Sequence, residues 1–249
     1  MLSILNLVVI SSVWISFVAS CCPLLVGVVY YIPLPPYAPV VAFLCAFFVY
    51  SWDKVSGSTE DLLNTPGRAV LATYPIKELA LLAYLAAFAV ILAADWTKWY
   101  CVAVFGAAGW VYTLRIGSRR PKDIPGLKNL IVAGACTVCF AGLAGAGFCL
   151  IFFLILINTI IFDIRDVIGD AAAGVRTVPV LIGVSRTVWI LAILDLPLIY
   201  LDPIAGLIGA GLIFYFRHQR PSLLYDYLVD GWVIISLVLN YLTDLERLI

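Results

Sequence analysis

Residues 148–170 read FCLIFFLILINTIIFDIRDVIGD, and the fold turns on the join inside this stretch. From Phe148 to Phe162 there is no charge, as in a helix crossing lipid or a protein core. Asp163, Asp166 and Asp170 then follow within about two helical turns. At 100° per residue they fall in a stripe roughly 60° wide. Three carboxylates so close repel one another and stay ionised together only around a cation. One aspartate here would be an ordinary solvated helix end with Arg165 as its ion-pair partner. Three on one stripe below an apolar run point to a metal. Mg²⁺ is the natural choice, because it takes hard oxygens and leaves positions for water and substrate phosphates.

The rest of the chain has the same character. Of 249 residues, 64% are hydrophobic and 12% charged, and the mean hydropathy is +1.09; a soluble domain carries about twice that charge. Apolar stretches long enough for a hydrocarbon core of about 30 Å recur throughout. They place helices near 4–30, 36–53, 76–95, 97–115, 127–147, 148–162, 184–201, 203–217 and 224–243. The expected fold is all-α integral membrane: a bundle of about nine transmembrane helices around a central lipid-open cavity, one domain over 1–249. Pro33 to Pro36, Pro121, Pro125-Gly126 and Pro203 mark breaks. Pro23 interrupts the first apolar stretch, and Val18 to Cys21 has the look of a lipoprotein cleavage site. No Lys or Arg precedes that run, so it is read as the first membrane helix.

Charge placement supports the count. With nine spans, thirteen of the fifteen basic residues fall on one face, Lys98 and Arg247 being opposite. Such asymmetry marks the cytoplasmic side. Asp53, Glu60, Asp61, Asp163, Asp166 and Asp170 share that face, for which the Lys/Arg bias gives no reason. They sit at the exit ends of the second and sixth helices, which run parallel, so a pseudo-repeat facing one cavity is expected. Net charge is zero and gives no electrostatic call for nucleic acid. Cys136 and Cys139 have CxxC spacing without a second pair, and the only histidine, His218, lies in a basic loop. A thiol-redox, zinc or histidine metal site is not expected.

The second cluster, Asp53 to Asp61, continues through Asn64 and Pro66 to Arg68. Asp53 and Asp61 share a face if the helix persists over those two turns, although Gly57 between them offers no ligand. From Tyr112 to Asn129 the chain carries Arg115, Arg119, Arg120, Lys122 and Lys128. These either neutralise an anionic ligand or serve topology and lipid headgroups. An apolar chamber with aspartates and cations at its mouth suits a polyprenyl diphosphate, whose tail needs apolar surroundings and whose head needs metal and cations. The matching chemistry is ionisation, with diphosphate departing from an allylic cation kept away from water.

At these residues the sequence resembles the UbiA superfamily of intramembrane prenyltransferases. FDIRDVIGD at 162–170, followed by GVRTVPV at 174–180, is similar to that family's second aspartate motif. The stretch ending PGLKNL at 125–130 is similar to its segment after the fourth helix. In the first motif Asp53, Lys54, Gly57 and Asp61 stand at the positions of the family's Asn-Asp-x-x-Asp-x-x-x-Asp, and Asp61 matches outright. The resemblance implies an Mg²⁺-dependent enzyme moving a polyprenyl group from its diphosphate to a lipophilic acceptor. Asp163, Asp166 and Asp170 would hold one Mg²⁺, and Asp53 and Asp61 a second. Arg68, Lys122 and Lys128 would contact diphosphate, Asn64 and Asn158 would support them, and Tyr112 would face the reacting carbon, making Asp163, Asp166 and Tyr112 the catalytic set. The expected partners are the diphosphate, the acceptor and membrane lipid, with no nucleic acid. Two alternatives remain open: a terpene cyclase that ionises the same substrate without an acceptor, and a non-enzymatic transporter or partner protein. Asp195, a carboxylate within the seventh helix, is the feature that keeps the last in play. Asp226 and Asp230 read as rim residues.

Overall fold

The computed structural model describes residues 12–55, 75–113, 124–218 and 224–248, the side chains at 54–55, 112–113 and 247–248 excepted. The helices are α1 (Val13–Val29), α2 (Tyr37–Val55), α3 (Ile76–Asp95) and α4 (Trp99–Thr113). Then come α5 (Leu127–Ala144), α6 (Phe148–Ala172), α7 (Val184–Leu201), α8 (Pro203–Tyr215) and α9 (Asp230–Leu248). A short helix, Val178–Ile182, links α6 to α7. Among the described residues there is no strand.

Among the described residues five helical stretches are long and apolar enough to cross a membrane, one of them Ile76–Val111. That stretch is two passes. Tyr84 donates its hydroxyl to the Val102 carbonyl at 3.2 Å, whereas one straight helix would separate those residues by about 27 Å. The reversal is built at Asp95, whose Oδ1 accepts from the Thr97 amide at 3.2 Å and hydroxyl at 2.6 Å. A second reversal, between α5 and α6, uses Gly145 and Gly147 at φ 83° and 75°. A Cβ on Gly147 would lie 2.7 Å from Val26, so glycine is required there twice over.

The helices close a ring: each packs on the next from α1 to α9, and α9 returns to α1. Inside the ring small residues let backbones approach; Ala38, Ala42, Cys45, Ala46, Ala87, Ala133 and Cys136 are buried. Outside, Leu82, Leu85, Ile193, Leu196 and Leu207 are each more than half exposed. An apolar girdle of this extent belongs against lipid. The protein is a multi-pass membrane protein.

Contacts at the two ends fix the direction of each pass. At one end Tyr37 donates to Asp95, Lys98 to the Leu143 carbonyl, Asn240 to Asp202, and Tyr31 to Asp244. At the other lie the end of α2, the start of α5, the end of α6 and the start of α9. Lys98 is thus opposite the acidic end, and α2 and α6 run parallel, as the charge pattern requires. Helix α6 continues to Ala172, beyond the hydropathy limit at 162, and on this extension Asp163 meets Lys128 and Asp166 meets Arg165. Helix α1 runs through Pro23 without ending.

Candidate active site

The site is assembled from the last turns of α6, the first turn of α5 and the wide turn Tyr225–Val229 that precedes α9. Asp163, 2% exposed, receives Lys128 Nζ at 2.5 Å on Oδ1 and Asn129 Nδ2 at 3.1 Å on Oδ2. Both partners sit in the first turn of α5. Gly126 caps this helix with φ 73°, a left-handed conformation that turns the chain into the bundle. Asn129 is itself 1% exposed, and its Oδ1 accepts no hydrogen bond among the described residues.

Asp166 meets Arg165 side-on, Nε to Oδ1 at 2.7 Å and Nη2 to Oδ2 at 2.9 Å. The remaining arm of Arg165, Nη1, reaches Asp226 Oδ1 at 2.9 Å, and the guanidinium lies 4.7 Å above the Phe162 ring. Asp170 is 4% exposed, one turn further along the same helix.

Beside this charged cluster opens a hollow of about 80 Å³ between α2, α4 and α5. Val49, Phe105, Ala108, Ile131 and Ala135 line it, and Asp53 is the acid on its wall. Ile131 stands one turn from Lys128 on α5. The first turns of α5 therefore connect the two acidic ends: Lys128 and Asn129 hold Asp163, while Ile131 and Val132 share a pocket with Asp53.

The expected residues divide accordingly. Asp53, Asp163, Asp166, Asp170 and Lys128 lie at one end of the bundle. Among the described residues, however, no three of Asp, Glu, His and Cys come together to hold an ion by themselves. Lys128 and Asn129 engage Asp163, and Arg165 engages Asp166. Asn158 faces elsewhere: its amide donates to the Val229 carbonyl at 3.0 Å, in the wide turn Tyr225–Val229 that precedes α9. A five-residue turn breaks the regular ladder there, and the asparagine satisfies the carbonyl. Asp61, Asn64, Arg68 and Lys122, and the side chain of Tyr112, lie outside the described residues. Sequence reasoning did not assign Asn129 or Asp226 to the site; the asparagine of PGLKNL was the available signal for the first.

The donor set suits Mg²⁺ in kind. It offers carboxylate oxygens and the orphaned amide oxygen of Asn129, with no sulfur or imidazole. It fits the pattern in which one or two carboxylates share the ion with substrate phosphates, rather than an all-protein cage.

No family model matches the chain. It is 30% identical over 185 residues, 68% of either protein, to digeranylgeranylglyceryl phosphate synthase of Methanopyrus kandleri. It is 31% identical over 141 residues to the synthase of that name from Thermococcus kodakarensis, spanning 45% of this chain and half of that protein. Two solved structures of a UbiA homolog from Archaeoglobus fulgidus share the fold. The one bound to DMAPP and Mg²⁺ has a TM-score of 0.63 at 14% identity, covering 92% of this chain and 96% of that one. The one bound to GPP and Mg²⁺ has a TM-score of 0.61 at 18% identity, covering 92% and 94%. The architecture is that of an intramembrane helical ring with an acidic mouth. The chain belongs to the UbiA superfamily of intramembrane prenyltransferases, as a divergent member.

Proposed function

We propose that this protein is a Mg²⁺-dependent prenyltransferase that moves a polyprenyl group from its diphosphate to a lipophilic acceptor. The observation that supports it most is the meeting of Asp163 with Lys128 and Asn129 in the first turn of α5, one turn before Ile131 and Val132 enter an apolar hollow whose wall includes Asp53. An apolar tail and a tri-anionic head need those two environments side by side.

Bound Mg²⁺ would supply charge to the departing diphosphate oxygens. Asp163 would share that ion, with Asp166 and Asp170 following on the same stripe. Lys128 is a compact, mobile charge suited to phosphate and can turn from Asp163 to a diphosphate oxygen. The hollow excludes water from the allylic carbon as the diphosphate leaves, and the acceptor nucleophile then forms the new bond and loses its proton. The relatives' names indicate a glyceryl phosphate lipid as the first acceptor class to try. The clustering of Lys and Arg supports placing the acidic end on the cytoplasmic side.

The test is turnover by purified protein in lipid with Mg²⁺ and geranylgeranyl diphosphate, with and without a prenylated glyceryl phosphate or a quinone precursor. Diphosphate release that requires an acceptor supports transfer. Release of a hydrocarbon without one would make the protein a cyclase. Silence across donors of several chain lengths would remove the enzyme reading.

A further inference from the structure

Arg165 and Asp166 are neighbours on α6, and neighbours on a helix point about 100° apart, so they do not ordinarily pair. Here they make two hydrogen bonds, at 2.7 and 2.9 Å. Two contacts from outside the pair hold the guanidinium folded back: Asp226 on its Nη1 at 2.9 Å and the Phe162 ring beneath it. Asp226 is fixed in turn, because its backbone carbonyl accepts the Trp14 indole N–H at 2.7 Å. The Trp14 ring also packs edge-on to Tyr227 at 5.7 Å. Helix α6 and the wide turn before α9 thus meet at one guanidinium, whose side chain is only 11% exposed, and α1 braces that turn through Trp14.

We infer that Asp226 is a positioning residue for the metal–diphosphate site, acting through Arg165. The inference rests on the prenyl diphosphate reading above. If Asp166 turns to a divalent ion, Arg165 loses two hydrogen bonds while its charge stays largely buried. A buried cation without a counter-charge is costly, and Asp226, already in contact, supplies one. The exchange of Asp166 from guanidinium to metal is then possible without stranding Arg165. Asp226 also adds negative potential near the ion without ligating it. Both effects favour the cation and neither favours the anion.

The experiment measures two affinities by calorimetry on wild type and Asp226→Asn in lipid nanodiscs: Mg²⁺ in the presence of a non-hydrolysable thio-diphosphate analogue, and the analogue alone in chelator. Partners that orient metal ligands shift metal affinity by about 10–100-fold. Asp226→Asn should weaken Mg²⁺ by roughly tenfold while analogue binding without metal is unchanged or tighter, and Asp226→Glu should recover most of the loss. General damage to the fold would weaken both, which would overturn the inference, as would unchanged Mg²⁺ affinity. If wild type binds neither ligand, the prenyl diphosphate reading fails first, and the two failures are told apart by that control.

Discussion

Lys128 opens α5 and Asp163 stands near the end of α6, yet their side chains touch at 2.5 Å, and the carboxylate is 2% exposed. A buried carboxylate with one lysine and one amide as partners is stable only while the lysine remains. The pair is at once structural and chemical: the charge that steadies Asp163 is the charge a diphosphate would draw away.

Lys128→Ala should therefore cost stability as well as turnover. Removing one member of a buried pair strands the other; with Lys128 21% exposed, roughly 3 kcal/mol is expected, the low end for such pairs. Thermal unfolding in detergent reads it. Asp163→Asn combined with Lys128→Ala should be less destabilised than the sum of the single changes, since nothing ionised is left stranded.

The hollow between α2, α4 and α5 predicts a chain-length effect. Ala135 lines it, and Ala135→Leu would fill much of its volume. Turnover with long donors should fall several-fold more than with dimethylallyl diphosphate, measured as the ratio of kcat/KM between donors. An equal loss on every donor would mean that the tail does not enter this hollow.

Asp195 is a different case. It lies mid-helix in α7, 1% exposed, and neither carboxyl oxygen has a hydrogen-bond partner among the described residues. A Cβ on Gly209 would come 2.6 Å from Asp195 Oδ1, so α8 is pressed directly against it. The near-isosteric Asp195→Asn removes a buried ionisable group without changing the packing. It should keep turnover within about twofold of wild type and leave stability equal or higher by about 1 kcal/mol. Loss of turnover with a normal melting temperature would instead give this carboxyl a part in function.

Topology was readable because membranes constrain sequence through hydropathy and charge, and both are local. Lys98 facing away from the acidic mouth, and α2 running parallel to α6, follow from counting spans. Side-chain pairing is not local. Arg165 and Asp226 are 61 positions apart, and nothing in either segment indicates that one guanidinium bridges two aspartates. The Asn158 contact with Val229, 71 positions away, is equally non-local. Asn158 occupies the right helix and depth for a substrate contact, but the wide turn before α9 leaves the Val229 carbonyl in need of a donor. Such turns have no sequence signature. Periodicity shows that Asp163, Asp166 and Asp170 share a face, and not that Lys128 and Arg165 reach the first two.

The most direct measurement is Mg²⁺-dependent release of diphosphate from geranylgeranyl diphosphate in nanodiscs with a prenylated glyceryl phosphate acceptor present, comparing wild type with Asp166→Asn at matched expression and melting temperature. Loss of metal-borne charge stabilisation should lower the rate at least a hundredfold, with the protein still folded. A variant that turns over at the wild-type rate with the same Mg²⁺ dependence would contradict the assignment of this acidic mouth as the place where the diphosphate leaves.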